Sequence, residues 1–154
     1  MLKLRSRDLP NVKFRRALPE YLANGPCFIE VDARAGGAAN PAYASGQERL
    51  FIQARIADRG LEKITDDKAH VETNWANMTD ILRGRLGLMY DACVIEWRCN
   101  ILNDDVPVVC DRGTFLELAD AKVPEIAAAI QDLEKAIMEA GAALQAETQA
   151  VIKN

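Results

Sequence analysis

Towards its C-terminal end the chain carries the one pattern that most restricts its fold. From Val123 onward Ile126, Ile130, Leu133, Ile137, Ala140 and Leu144 recur at spacings of 4, 3, 4, 3 and 4. That is a heptad seam, the repeat that lets one helix lie along another for several turns. Each Ile or Leu moved out of water is worth roughly 1.5–3 kcal/mol, so the stripe must be covered. Either the chain's own helices or another subunit does the covering. Ile126, Ile130, Leu133, Ile137 and Leu144 are therefore candidate partner-interface residues.

The rest of the chain reads as helices around a small β element. Residues 1 to 16 alternate faintly (Leu2, Leu4) until Pro10, as an extended arm or an edge strand. Between Pro26 and Arg34, Ile29, Val31 and Ala33 alternate with Glu30 and Asp32, which predicts one half-buried strand. Ala35 to Ala39 is a flexible turn. Asn40-Pro41 is a helix start, since Asn accepts from orphan amides and Pro surrenders an N–H with no partner. The helix over about 41–58 aligns Tyr43, Gln47, Leu50, Ala54 and Ala57, with Gly60 as its cap.

Asp66 and Asp67 open the next helix, at the end that favours negative charge. Its stripe is Val71, Trp75, Met78, Leu82, Met89 and Cys93. Gly84 and Gly87 within it mark a kink, a break or a close helix crossing. The apolar face widens near Ile95, as expected of the most buried region, and Trp97 closes this long helix as a core anchor. Asn103 to Asp105 turns, and Val106 to Cys110 is an edge strand at most, because it contains proline. Asp111 caps a short helix to about Ala119, and Val123-Pro124 starts the last one. The fold expected is mainly α, a small helical domain with a minor N-terminal β element and a long C-terminal helix. Residues 1–25 form a basic arm, and 26–154 a single domain.

Charge sharpens this picture. The net charge of −4 argues against a general nucleic-acid binder. Residues 1 to 16 nevertheless hold Lys3, Arg5, Arg7, Lys13, Arg15 and Arg16 against Asp8 alone. From Asp111 to the end, eight acids face four bases. Arg5, Arg7, Arg15 and Arg16 are either simply solvated or partner-binding, for instance on the acidic C-terminal region of a neighbouring copy. No stretch approaches the roughly 18 apolar residues of a membrane span, and no apolar signal region follows the basic start. Both point to the cytosol.

A reacting set is missing from the sequence. His70 is the only histidine, and Cys27, Cys93, Cys99 and Cys110 contain no CxxC pair, so a zinc site is poorly supplied. The cysteines read as reduced and buried, with a disulfide formed late in an oxidising setting as the alternative. Ser6 and Ser45 lie outside any GxSxG, Gly36-Gly37 lacks the Lys-Ser/Thr of a phosphate loop, and Asp104-Asp105 lacks calcium-loop spacing. The expectation is a protein that is not an enzyme and uses no metal or cofactor.

Four blocks, in order, carry a resemblance. They are Ile29-Glu30-Val31-Asp32-Ala33-Arg34 with Asn40-Pro41-Ala42-Tyr43; Val94-Ile95-Glu96-Trp97 with Asn103-Asp104-Asp105-Val106-Pro107-Val108; Arg112 to Pro124; and the closing Lys153-Asn154. Together, over roughly residues 27–154, they resemble tail assembly chaperone-like proteins of tailed bacteriophages. Two features depart from that pattern: Asp105-Val106 stands where a glycine is usual after the acidic turn, and the basic start has no counterpart. The resemblance implies a tail morphogenesis protein that binds tail or tape-measure protein through apolar helical surfaces, in the host cytoplasm, as a homo-oligomer or assembly member. Its alternative is a permanent virion component of the tail, neck or head shell.

Overall fold

The computed structural model describes residues 8–153 and begins with a pair of antiparallel strands, β1 (Asn11–Leu18) and β2 (Cys27–Arg34). The alternation expected of β2 holds: Cys27, Ile29, Val31 and Ala33 are buried, while Phe28, Glu30 and Asp32 are only half-buried. A helical hairpin follows, α1 (Pro41–Glu62) and α2 (Asp67–Cys93). The chain then returns to the sheet as β3 (Val94–Cys99), antiparallel to the free edge of β2. The sheet order is therefore β1-β2-β3. A two-stranded ribbon, β4 (Leu102–Asn103) and β5 (Val106–Pro107), leads to α3 (Arg112–Asp120) and the long α4 (Pro124–Lys153).

This corrects the mainly α expectation. The described residues are 64% helical, with four α-helices, and 18% strand in two small antiparallel sheets, a mixed α/β fold in which the strands are a substantial part. Two segments account for the difference. Residues 11–18, expected to lie in an arm or an edge strand, form a full edge strand. Val94 to Trp97, expected as the end of a helix, is the third strand. Its β-branched start favours a strand, but a bulge hides the period of two. Asp32 faces Glu96 and Ala33 faces Val94, so Ile95 is the extra residue. Ile95 is accordingly exposed, and the burial expected around it falls on Cys93 and Trp97 instead.

The core lies between the inner face of the sheet and α4. Phe14, Leu18, Ile29, Val31 and Trp97 share one buried cluster with Ile126, Ile130, Leu133 and Ile137. Phe115 of α3 completes it, with its ring edge-on to Trp97 at 5.4 Å between centroids. The outer face of the sheet is charged. Glu30 takes both Arg15 of β1 and Arg98 of β3, and Asp32 pairs with Lys13.

Three close contacts lock the layers. Buried Asn40 caps α1 by accepting from the amides of Ala42 and Tyr43, and its Nδ2 donates to the carbonyls of Ala35 and Ala92, each at 3.0 Å. All its polar atoms are thus satisfied, and one side chain joins the turn, α1 and α2. The turn itself, expected to be flexible, holds a 3-10 element at Gly37–Ala39 that contacts α4, with Gly37 buried and the Gly36 N–H donating to the Ile137 carbonyl at 3.1 Å. Opposite it lies Gly141, where a Cβ would sit 2.0 Å from the Gly36 carbonyl oxygen. Of the three meanings open to Gly84, the structure selects close crossing. α2 runs unbroken past it, and a Cβ there would meet Leu50 of α1 at 2.8 Å.

Candidate interaction surface

The surface is built from the distal half of the α1–α2 hairpin. Asp66 caps α2 by accepting from the Ala69 amide at 2.8 Å, which fixes where its apolar stripe begins. α1 packs on α2 through positions such as Leu50 and Gly46, whose Cβ would collide with Leu88. That contact uses one face of α2 and leaves another uncovered. Val71, Trp75, Met78 and Leu82 remain 67, 73, 52 and 61% exposed. Their spacings are 4, 3 and 4, the same heptad pattern that α4 buries. Phe51, Ile52 and Ile56 of α1 are exposed as well. Monomeric soluble proteins rarely show contiguous apolar patches beyond a few hundred Å², and larger ones mark binding surfaces.

The stripe runs into a groove. Leu82 and Leu86 of α2, Leu116 of α3, and Ile130 and Met138 of α4 line an open cleft of about 740 Å³. Its rim is charged but self-neutralising. Arg83 pairs with Asp120 at 3.4 Å, and Arg85 bonds Glu134, tying α2 to α3 and α4. Arg112 grips Asp91 with two nitrogens, at 2.7 and 3.0 Å, and so fixes α3 on the base of α2. A rim already paired offers a partner little charge to read, so recognition here falls to apolar contact.

The residues expected to meet a partner lie elsewhere. Ile126, Ile130, Leu133, Ile137 and Leu144 are all buried in the chain's own core, under the sheet and the Gly37–Ala39 turn. Of the two covers open to the seam, the chain's own elements supply it. Arg16 reaches Asp132 of α4 at 3.4 Å, so the basic segment meets the acidic last helix within one molecule. Its guanidinium also lies 4.7 Å over the Phe14 ring, and that of Arg15 lies 4.8 Å over Phe28. Arg5 and Arg7 lie outside the described residues. The α2 stripe was named from the sequence only as a helix face. Its period matches that of the α4 seam, and no local signal says which of the two stays in water.

Chemistry is sparse. Among the described residues no group of three or more His, Cys, Asp or Glu could hold a metal ion, and no helix is long and apolar enough to cross a membrane. The side chain of His70 is half-buried on α2, and the four cysteines are free thiols. Asp111 is held below the usual carboxylate range by the hydrogen bond it accepts from the Thr114 amide, the cap of α3. Comparison with family models, curated proteins and solved structures finds no match.

Proposed function

We propose that this is a tail morphogenesis protein of the tail assembly chaperone kind. It binds an apolar helix of a tail or tape-measure protein and carries out no chemical step. The observation that carries the reading is the exposed 4-3-4 stripe Val71-Trp75-Met78-Leu82. A helix seam left open on a well-packed body suits helix-in-groove binding, in which the client presents anchors at i, i+3/i+4 and i+7. The phage assignment itself rests on the ordered blocks from Ile29 to Asn154 named above. A holding role fits the layout, because the charged rim of the groove is already paired and the stripe beside it is greasy. Work of this kind needs surface area and release, which shape supplies without a catalytic group.

The test is capture of tail protein by the full chain. The wild type should retain a tape-measure or tail protein encoded in the same genome, and a Trp75→Asp, Leu82→Asp double variant should lose it while keeping its melting temperature. The protein should be missing from purified particles by mass spectrometry. Its presence there at high copy number would make it a permanent virion component instead.

A further inference from the structure

Two of the four thiols meet. Cys99, at the end of β3, and Cys110, just before the cap of α3, lie with their sulfurs 3.9 Å apart, both half-buried and unbonded. Cys27 and Cys93 are fully buried, and the Cys93 sulfur instead faces the Asn40 amide at 3.8 Å. A disulfide needs its sulfurs at about 2.05 Å, a closure of about 2 Å from here. The segment between the pair is already folded back on itself: Val108 N–H donates to the Ile101 carbonyl, and β4 pairs with β5. Trp97 Nε1 donates to the Asp111 carbonyl at 3.1 Å, fastening the two ends beside the thiols.

We propose that Cys99 and Cys110 form a thiol-modification site that reacts with small-molecule disulfides and closes into an intramolecular disulfide across the β4–β5 ribbon. In the first step a Cys110 thiolate attacks one sulfur of the small disulfide. Its S–S bond breaks, a mixed disulfide forms on Cys110, and one small thiol leaves. In the second step Cys99 attacks the Cys110 sulfur, passes its proton to the departing group and releases the second small thiol. Two protein thiols are oxidised and one small disulfide is reduced to two thiols, so atoms and electrons balance. Burial pushes the Cys99 thiol up to about 12 and disfavours its thiolate, which leaves the first attack to Cys110; the second step then rests on the target sulfur already lying beside Cys99. The ring fixes residues 100–109 between the end of β3 and the start of α3. It removes freedom from the unfolded chain at a place where the folded chain has little left to lose. This proposal stands on the thiol geometry and is independent of the tail reading.

The experiment equilibrates the full chain in glutathione buffers of rising oxidised fraction. Alkylation, intact mass and peptide mapping then read the products. The expected result is a protein lighter by two hydrogens, with two thiols resistant to alkylation, a single cross-linked peptide joining Cys99 to Cys110, and a raised melting temperature. Cys99→Ser and Cys110→Ser, each made singly, should lose the cross-link while the reduced proteins melt close to the wild type. Any of four results would overturn the proposal: four alkylated thiols at the most oxidising ratio, a stable mixed disulfide without ring closure, a pairing that uses Cys27 or Cys93, or an oxidised form that melts below the reduced one.

Discussion

Gly141 shows how one position can oppose local preference to the fold. In the middle of a helix, Gly→Ala should stabilise by about 1 kcal/mol. Here the new methyl would meet the Gly36 backbone oxygen at 2.0 Å, and a backbone that donates to Ile137 cannot swing away. Overpacking of this kind costs roughly 1–3 kcal/mol and here exceeds the propensity gain. Gly141→Ala should therefore lower stability in urea unfolding, and an unchanged midpoint would refute the contact. Asp105 is the opposite case. Asp104 and Asp105 turn between β4 and β5 with φ of 48° and 63°, the two left-handed residues of a primed hairpin turn. Glycine at the second place would relieve about 1–2 kcal/mol of left-handed strain and give back about 0.4–1 through the freer unfolded chain. Asp105→Gly should thus stabilise the protein by about 0.5–1 kcal/mol, read as a rise in melting temperature. Asp111 sets a pH dependence. Its carboxyl titrates lower when folded than when unfolded, because the folded form accepts from Thr114. Its contribution is present above the ordinary aspartate range, near 3.9, and is lost as pH falls through the lower folded value. The melting temperatures of the wild type and Asp111→Ala should accordingly differ at neutral pH and converge in strong acid.

Elements differ in how well local pattern announces them. β2 was legible because both its neighbours are strands and one face meets the core, which gives clean alternation from Ile29 to Ala33. The starts of α1, α2 and α3 were legible from Asn40, Asp66 and Asp111; Asn40 and Asp111 cap as expected, and Asp66, expected as a favourable charge, caps as well. β3 was not legible, since the bulge at Ile95 breaks its period and the run follows a helix without a glycine or proline between them. β1 was half legible. It places Arg16 on the side of Phe14 and Leu18, where the side chain stays half exposed over the Phe14 ring and reaches Asp132, so the alternation is broken by a charge. Neither helix seam announces its cover. α4 finds the sheet, whereas the α2 stripe is buried at Met89 and Cys93 and stays exposed from Val71 to Leu82 among the described residues. That contrast predicts opposite outcomes for like substitutions. Leu133→Ala and Ile137→Ala, at fully buried sites, should each destabilise by about 2–5 kcal/mol. Trp75→Ala and Leu82→Ala should stay within about 0.5 kcal/mol of the wild type in thermal unfolding. A large loss from the α2 pair would mean that the stripe is covered at home.

The molecule as a whole divides into a closed body and an open hairpin. Sheet, α3 and α4 bury their apolar faces in one another, and the last turns of α4 and the distal hairpin carry apolar side chains into water, among them Val151, Ile152 and Trp75. On the proposed reading, that body is the rigid base of a binding arm. The two tryptophans report the two halves separately, since Trp97 is buried in the core and Trp75 is the most exposed member of the stripe. The decisive measurement is fluorine NMR on the full chain labelled with 5-fluorotryptophan, titrated with the tail or tape-measure protein. The account predicts that the Trp75 resonance shifts or broadens as complex forms, while that of Trp97 keeps its position. A complex that leaves Trp75 in water, or a client that fails to bind at all, would contradict it.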